Sequence, residues 1–356
     1  MQAATKSFLN TILKTISPSG SEEEALGVWG KAIAPYVDEV YYDVLGNLVA
    51  VKKGHTDKKL MFVAHADEVG FMLNYIDDKG YLYFRKIGGI DVNLLPGQKI
   101  AINGLNGLVY GVIGKKPIHL QSKDENKHSF DIEDLWIDIG VKSKSEAEQL
   151  VGVGNSAAFN VGITEHGTRI SSKALDDRVG LASMIEAAQI LANEPLDAAL
   201  YFVASVQEEL GSRGARTVVM GIQPDVCIAI DVTHATDYPT MSPIKYGNIE
   251  MGAGVVITAG PNINKILTDL LLNLVDKAAI AYQIEAISHP TDTDANPIQV
   301  AGQGIVTGLL SIPCRYMHTP VEMVDLKDVE ATAMLIVEMA MLSADKINFQ
   351  KVFKPE

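Results

Sequence analysis

Two rhythms divide this chain, and their boundary limits its fold more than any other feature. After Ser172, apolar runs alternate with helical stretches: a helix over 177–192, strands over 198–206 and 226–231, a long amphipathic helix over 263–281, a strand over 304–311 and a final helix over 326–342. Such alternation predicts a mostly parallel sheet flanked by helices. The first 68 residues continue that layer with two helices, a hairpin over 43–50 around Gly46-Asn47, and a buried strand over 59–64 running into His65. The second helix is expected to open at Ser21, with Glu24 completing a capping box. From about Val69 to Asn160 the pattern differs. Short alternating segments such as Tyr81-Leu82-Tyr83-Phe84 and Leu108-Val109-Tyr110-Gly111-Val112-Ile113 are punctuated by glycine, with one helical patch over 143–150. That rhythm predicts a small all-β barrel or sandwich. The expected architecture is an α/β domain of residues 1–68 plus 161–356, interrupted by an inserted β barrel-like domain of residues 69–160.

Length and charge narrow the function. The 356 residues exceed what one core usually organises. The content of 47% hydrophobic and 21% charged residues is that of a folded soluble protein. A formal charge of −14 disfavours nucleic acid and anionic membrane as partners. No apolar run approaches the roughly 20 residues that cross a bilayer, and the first residues begin an amphipathic helix, not a signal peptide. Two cysteines, Cys227 and Cys314, exclude both a disulfide framework and a thiolate zinc site. A reducing compartment, the cytoplasm, is the expected location.

Chemistry concentrates where apolar runs end. His65-Ala66-Asp67 follows one run, Glu208-Glu209 follow another with Gln207 between, Asp231 follows a third, and His318 trails a fourth. Asp176-Asp177 stand at the start of a helix. Ligands of an open parallel sheet gather at the carboxyl ends of its strands, so four strands deliver imidazole or carboxylate to one rim. Each residue has an ordinary reading alone: a hydrogen-bonded histidine, a helix cap at Asp176-Asp177, an Asx turn at Asp231, a solvated loop at Glu208-Glu209. Together they make a donor set for two divalent cations. Each cation takes one histidine and one carboxylate, an aspartate bridges, and one glutamate is left to move a proton. Nitrogen and oxygen donors suit zinc, cobalt or manganese, and two such ions acidify a water and polarise a carbonyl. One of the adjacent glutamates can face the ions while its neighbour carries the proton to the departing amine. Asp67, two residues beyond His65, can orient its imidazole. Residue chemistry alone does not choose between Asp176 and Asp177 as ligand.

The stretches His65-Ala66-Asp67-Glu68-Val69-Gly70-Phe71, Ser172-Lys173-Ala174-Leu175-Asp176-Asp177-Arg178-Val179-Gly180, Gln207-Glu208-Glu209-Leu210-Gly211, Ile230-Asp231-Val232-Thr233-His234 and Tyr316-Met317-His318-Thr319-Pro320 are similar to motifs of one family. That family is the glutamyl and deblocking aminopeptidases, which include the tetrahedral (TET) aminopeptidases, and the likeness spans nearly the whole chain. It implies that His65, Asp176 and Asp231 hold one ion, that Asp176, Glu209 and His318 hold the other, and that Glu208 is the general base. It also implies a cis bond between Asp176 and Asp177, release of N-terminal residues from peptide substrates, and dimers formed through the inserted domain that build a tetrahedral dodecamer. One departure lies in the loop 288–296, where Asp292-Thr293-Asp294-Ala295 has Asp292 in place of a glycine. That loop is expected to border the substrate pocket.

Two other classes compete. A metal-stabilised shell or binding protein without catalysis would have no use for a spare carboxylate at Glu208. Another hydrolase on the scaffold, an amidase or a glycosidase, is the second; a glycosidase needs two opposed carboxylates and no obligatory metal. His234 and His289 are candidate substrate-binding residues, and Arg213 and Arg315 are candidate anchors for an acidic side chain.

Overall fold

The structure is a computed structural model that describes residues 1–121, 130–347 and 349. Its first strands are β1 (Glu39–Tyr42), β2 (Leu48–Lys52) and β3 (Lys59–His65). The glycine-punctuated stretch supplies β4 (Gly70–Ile76), β5 (Leu82–Ile87), β6 (Lys99–Gly104), β7 (Gly107–Gly114), β8 (Trp136–Asp138) and β9 (Ser156–Phe159). Then come β10 (Thr164–His166), β11 (Arg169–Ser172), β12 (Ala199–Ser205), β13 (Val226–His234), β14 (Val255–Ala259), β15 (Tyr282–Ala286), β16 (Val306–Arg315) and β17 (Glu322–Asp325).

The fold is α/β. One 11-stranded sheet runs β1-β2-β12-β3-β13-β16-β17-β11-β10, with β14 and β15 attached at β16. Its centre, β12, β3, β13 and β16, is parallel. The margins are antiparallel, where β2 joins β12, β17 joins β16 and β11 joins β17. Short turns such as the one between β16 and β17 can only return the chain antiparallel. Central strands are apolar on both faces, as a covered parallel sheet requires. Along β3, Leu60, Phe62 and Ala64 pack beneath helices Ala3–Ile12, Glu23–Ile33, Leu175–Leu191, Lys265–Ala278 and Leu326–Ala340. Met61 and Val63 point the other way, toward helices Arg213–Ile222 and Ala295–Gln299. Phe62 stacks on Phe202 of β12, with ring centroids 5.7 Å apart.

Strands β4 to β9 close into a separate antiparallel barrel, in the order β4-β5-β8-β7-β6-β9. Its core centres on Phe71, which meets Phe84 and Phe159 edge-on at 5.1 and 5.2 Å. The chain leaves the sheet after β3 and rejoins it at β10. No described helix is long and apolar enough to cross a membrane.

Three local expectations need correction. The hairpin is real, but its arms are β1 and β2, paired from Tyr42↔Leu48 outward. Val44 and Leu45 therefore sit in the turn, which Asp43 closes by accepting the N–H groups of Gly46 and Asn47. The capping box at Ser21 is absent. Glu24 instead accepts the Ile16 N–H at 3.1 Å, and the helix begins at Glu23. Finally, β13 does not stop at Asp231. It runs to His234, because Val232 to His234 pair with Ile312 to Cys314 of β16.

The hairpin turn also braces the rim of the sheet. Asn47 is fully buried; its Oδ1 accepts the Val206 N–H at 3.0 Å and its Nδ2 donates to the Gly214 carbonyl at 3.1 Å. The stretch 207–212 is thereby held at both ends. Gly214 has no room for a side chain, since a Cβ there would lie 2.3 Å from Asn47 Oδ1 and 2.4 Å from the Val206 carbonyl. Gly214→Ala should cost about 1–3 kcal/mol by overpacking, measured by denaturant unfolding. A change no larger than the roughly 0.5 kcal/mol of an ordinary surface substitution would contradict this.

Candidate active site

The carboxyl ends of the central strands meet at one cleft of about 460 Å³. β3 ends at His65, opposite Ser205 of β12, so Glu208 and Glu209 emerge beside it. Asp231 lies in β13, and His318 follows β16 in a turn where its own φ is +60°. Asp176 and Asp177 open the helix Leu175–Leu191 in non-helical conformations, joined by a cis peptide bond as the resemblance implies. All five sequence stretches therefore converge.

Asp176 lies between the two imidazoles. Its Oδ1 is 2.9 Å from His65 Nε2 and its Oδ2 is 3.2 Å from His318 Nε2. His318 Nε2 is also 3.0 Å from Glu209 Oε1, and His65 Nε2 is 3.9 Å from Asp231 Oδ1. Two groups of donors lie close enough to hold a cation: Asp176, Glu209 and His318, and His65, Asp177 and Asp231. Asp177 is otherwise engaged, because its carboxylate accepts the backbone N–H groups of His65 at 3.3 Å and Gly180 at 3.1 Å. Glu208 stands beside this cluster, and its Oε1 accepts the Ser212 hydroxyl at 3.0 Å.

Asp67 does more than face the His65 ring. Its two oxygens accept the N–H groups of Glu208 and Glu209, each at 3.0 Å, and the Ser19 hydroxyl at 2.7 Å. Its carboxylate lies 3.5 Å from His65 Nδ1, and its carbonyl 3.2 Å. A second layer comes from residues the sequence reading did not single out. Glu22 accepts the Gln207 N–H at 3.0 Å. Buried Glu68 accepts the Ser17 N–H and pairs with Lys173 at 2.7 Å and with Arg178 at 3.5 Å. Glu322 accepts the N–H groups of Asp176 and His318. Backbone partners 185 and 146 positions away, as Gln207 is from Glu22 and Asp176 from Glu322, leave no spacing in the sequence.

Negative charge exceeds positive charge in the cleft, and the protonation equilibria show it. Burial pushes the Glu208 carboxyl up to about 8, with Asp294, Asp67 and Glu209 adding to the rise. Burial also raises Glu209, Asp231 and Asp177. For Asp176, burial raises the pKa, but the hydrogen bonds from His318 and His65 outweigh it and hold the group below the ordinary carboxylate range. For His318, burial lowers the pKa and the bonds to Asp176 and Glu209 overcome it, lifting the ring to about 11. His65 is raised well above its usual value by Asp176 and Asp67, against the pull of burial.

Around the rim, His234 lines the cleft, and burial followed by repulsion from His318 lowers its pKa. His289 is not among the lining residues; its Nδ1 lies 2.8 Å from the Pro290 carbonyl. Arg315 is committed to Asp237 at 2.6 Å. Arg216 lines the cleft, one helical turn beyond Arg213, which does not. Asp292 lines it too, as expected for the loop 288–296.

Residues 46–335 match the model of the M42 glutamyl aminopeptidase family. A lysyl aminopeptidase of Pyrococcus furiosus is 41% identical over 330 residues, covering 90% of this chain and 92% of the relative. A solved TET aminopeptidase from a marine sediment thaumarchaeon superposes with a TM-score of 0.92 at 31% identity, covering 96% of this chain and 98% of the other. The TET1 peptidase of Pyrococcus horikoshii, described as assembling into a tetrahedron or a large octahedral shell, gives a TM-score of 0.84 at 32% identity over 95% of this chain and 99% of the other. Fold, cleft and relatives together define a peptidase, an aminopeptidase in class. The chain belongs to the M42 glutamyl aminopeptidase family.

His318 supplies a pH test in chelator-treated protein. Its folded pKa of about 11 lies above the ordinary imidazole value of 6.5, so its stabilisation is complete below 6.5 and is lost as pH rises toward 11. Thermal melting should fall across that window, and less steeply in His318→Gln. Identical slopes for the two proteins would contradict the assignment.

Proposed function

We propose that this aminopeptidase works with two divalent cations, zinc or cobalt being favoured and manganese also compatible. His65, Asp176 and Asp231 would hold one, and Asp176, Glu209 and His318 the other. The observation that carries this reading is Asp176, which turns one carboxylate oxygen to each imidazole. The donor set fits: it has nitrogen and oxygen donors, no sulfur, and a surplus of buried acids that cations would neutralise. Asp177 is the weaker candidate for the bridge, because backbone N–H groups already occupy its carboxylate. When bound, two such ions acidify a water and polarise the substrate carbonyl.

The remaining work falls to the chain. Glu208 takes the proton from the attacking water and gives it to the departing amine; burial raises its carboxyl, and adjoining cations would draw it back toward the ionised form a base needs. Ser212 holds one oxygen of Glu208, and Asp67 fixes the backbone of Glu208 and Glu209, so the base keeps its place. His234 lies where it can hydrogen-bond the substrate. N-terminal residues of peptides are the substrates, and the lysyl specificity of the 41% identical relative makes a basic first residue the one to try first. The inserted domain, residues 69–160, is read as a dimerisation module and the protein as a homo-oligomer, with a tetrahedral dodecamer supported by solved TET relatives described as a dodecamer and as a tetrahedron. Two unpaired, buried cysteines suit a cytoplasmic location.

Three outcomes test this. On a panel of aminoacyl-anilides, Glu208→Gln should lower kcat by about 10²–10⁴-fold with metal content unchanged; full activity would favour a non-catalytic role for the site. Chelation should abolish activity, and zinc, cobalt or manganese should restore it. Because His65 and His318 are raised, reloading should release protons and tighten as pH rises. Activity that survives complete metal removal would instead point to a glycosidase-like or other metal-free hydrolase.

A further inference from the structure

Glu322 is buried at the first position of β17 and is not among the residues lining the cleft. Its two oxygens bridge two loops. Oε1 accepts the His318 N–H at 2.9 Å, and Oε2 accepts the Asp176 N–H at 3.0 Å. Strand pairing sets this up: Glu322 lies opposite Ser172 of β11, the strand whose continuation carries Asp176. His318 sits in a turn where it and Tyr316 both have positive φ, at +60° and +63°. A non-glycine residue adopts that conformation only when its surroundings hold it there. The Glu322 carboxylate is the side chain that holds the His318 amide.

We infer that Glu322 is a positioning residue that sets the spacing between Asp176 and His318 and thereby governs the cation held by Asp176, Glu209 and His318. The inference rests on the two-cation reading above. No other titratable group is seen to accept both of these N–H groups among the described residues. Glutamine at 322 keeps the shape but offers one acceptor and one donor, so only one of the two loops stays fixed. The other cation, between His65, Asp176 and Asp231, has its own backbone tie in Asp177, which holds the His65 N–H.

The test is a titration of chelator-treated protein with cobalt(II), followed by visible absorption and calorimetry. Wild type should show two uptake steps. In Glu322→Gln one step should weaken by about 10–100-fold, as loss of an outer partner typically does, and the other by clearly less, because that cation shares Asp176 but not His318, while circular dichroism stays native. Two unchanged steps would overturn the inference, and so would equal weakening of both, which would mark a general loosening. If Glu322→Gln does not fold, Glu322→Asp serves instead: it keeps the carboxyl group, is one methylene short, and should show the same unequal loss. Failure of both variants to fold would assign Glu322 to stability alone and overturn the inference. Failure of wild type to take up cobalt would defeat the two-cation reading itself, a result distinguishable from any of these.

Discussion

The Asp67 carboxylate joins three distant parts of the chain, and the geometry of the cleft depends on that junction. It receives the amides of Glu208 and Glu209 from beyond the end of β12 and the Ser19 hydroxyl from the loop between the first two helices, while standing next to His65. The same device recurs around the rim. Asp177 takes the amides of His65 and Gly180, Glu322 those of Asp176 and His318, and Glu22 that of Gln207. Hydrogen bonds to a charged acceptor contribute roughly 1.5–3 kcal/mol each, but taking a carboxylate out of water costs several. The net return is in position more than in stability. Loops that would otherwise sample many conformations each present one donor atom to the same small volume.

That construction creates an electrostatic problem which the cleft answers only in part. Asp176, Asp177, Asp231, Glu208 and Glu209 crowd against two imidazoles, and most of these acids have raised pKa values because burial and one another's charge oppose ionisation. The positive charge of Lys173 and Arg178 is placed behind the cleft and largely spent on Glu68. A site with surplus buried acid is destabilised unless cations enter it. The reading as a cation-dependent aminopeptidase therefore follows from charge as well as from donor geometry, and it assigns Glu208, held by Ser212, to proton transfer.

Much of this was visible in the residues. Continuous apolar runs on β3, β12, β13 and β16, alternating with helical stretches, announced a covered parallel sheet, and glycine punctuation announced the barrel. The five donor stretches were legible because each ends an apolar run or opens a helix, and strand ends are where parallel sheets collect ligands. What escaped was long-range. Glu322 meets Asp176 across 146 positions, and Glu22 meets Gln207 across 185, so no local pattern marks either. Glu24 looked like half of a capping box because spacing alone cannot show that the Ile16 amide lies nearer. The extent of β13 was underestimated at Asp231, since a charged residue inside a strand reads as its end. Arg213 reads as a candidate anchor from its motif alone, whereas Arg216, one turn further along the same helix, is the arginine that lines the cleft, and the helix's orientation is not written in local pattern.

The central claim is that Asp176 stands between two cations. Anomalous diffraction from crystals of cobalt-loaded protein tests it most directly. Two anomalous peaks should flank the Asp176 carboxylate, one toward His65 and Asp231 and one toward Glu209 and His318, with Asp177 left to its amides. A single peak, or a pair bridged by Asp177, would contradict the account.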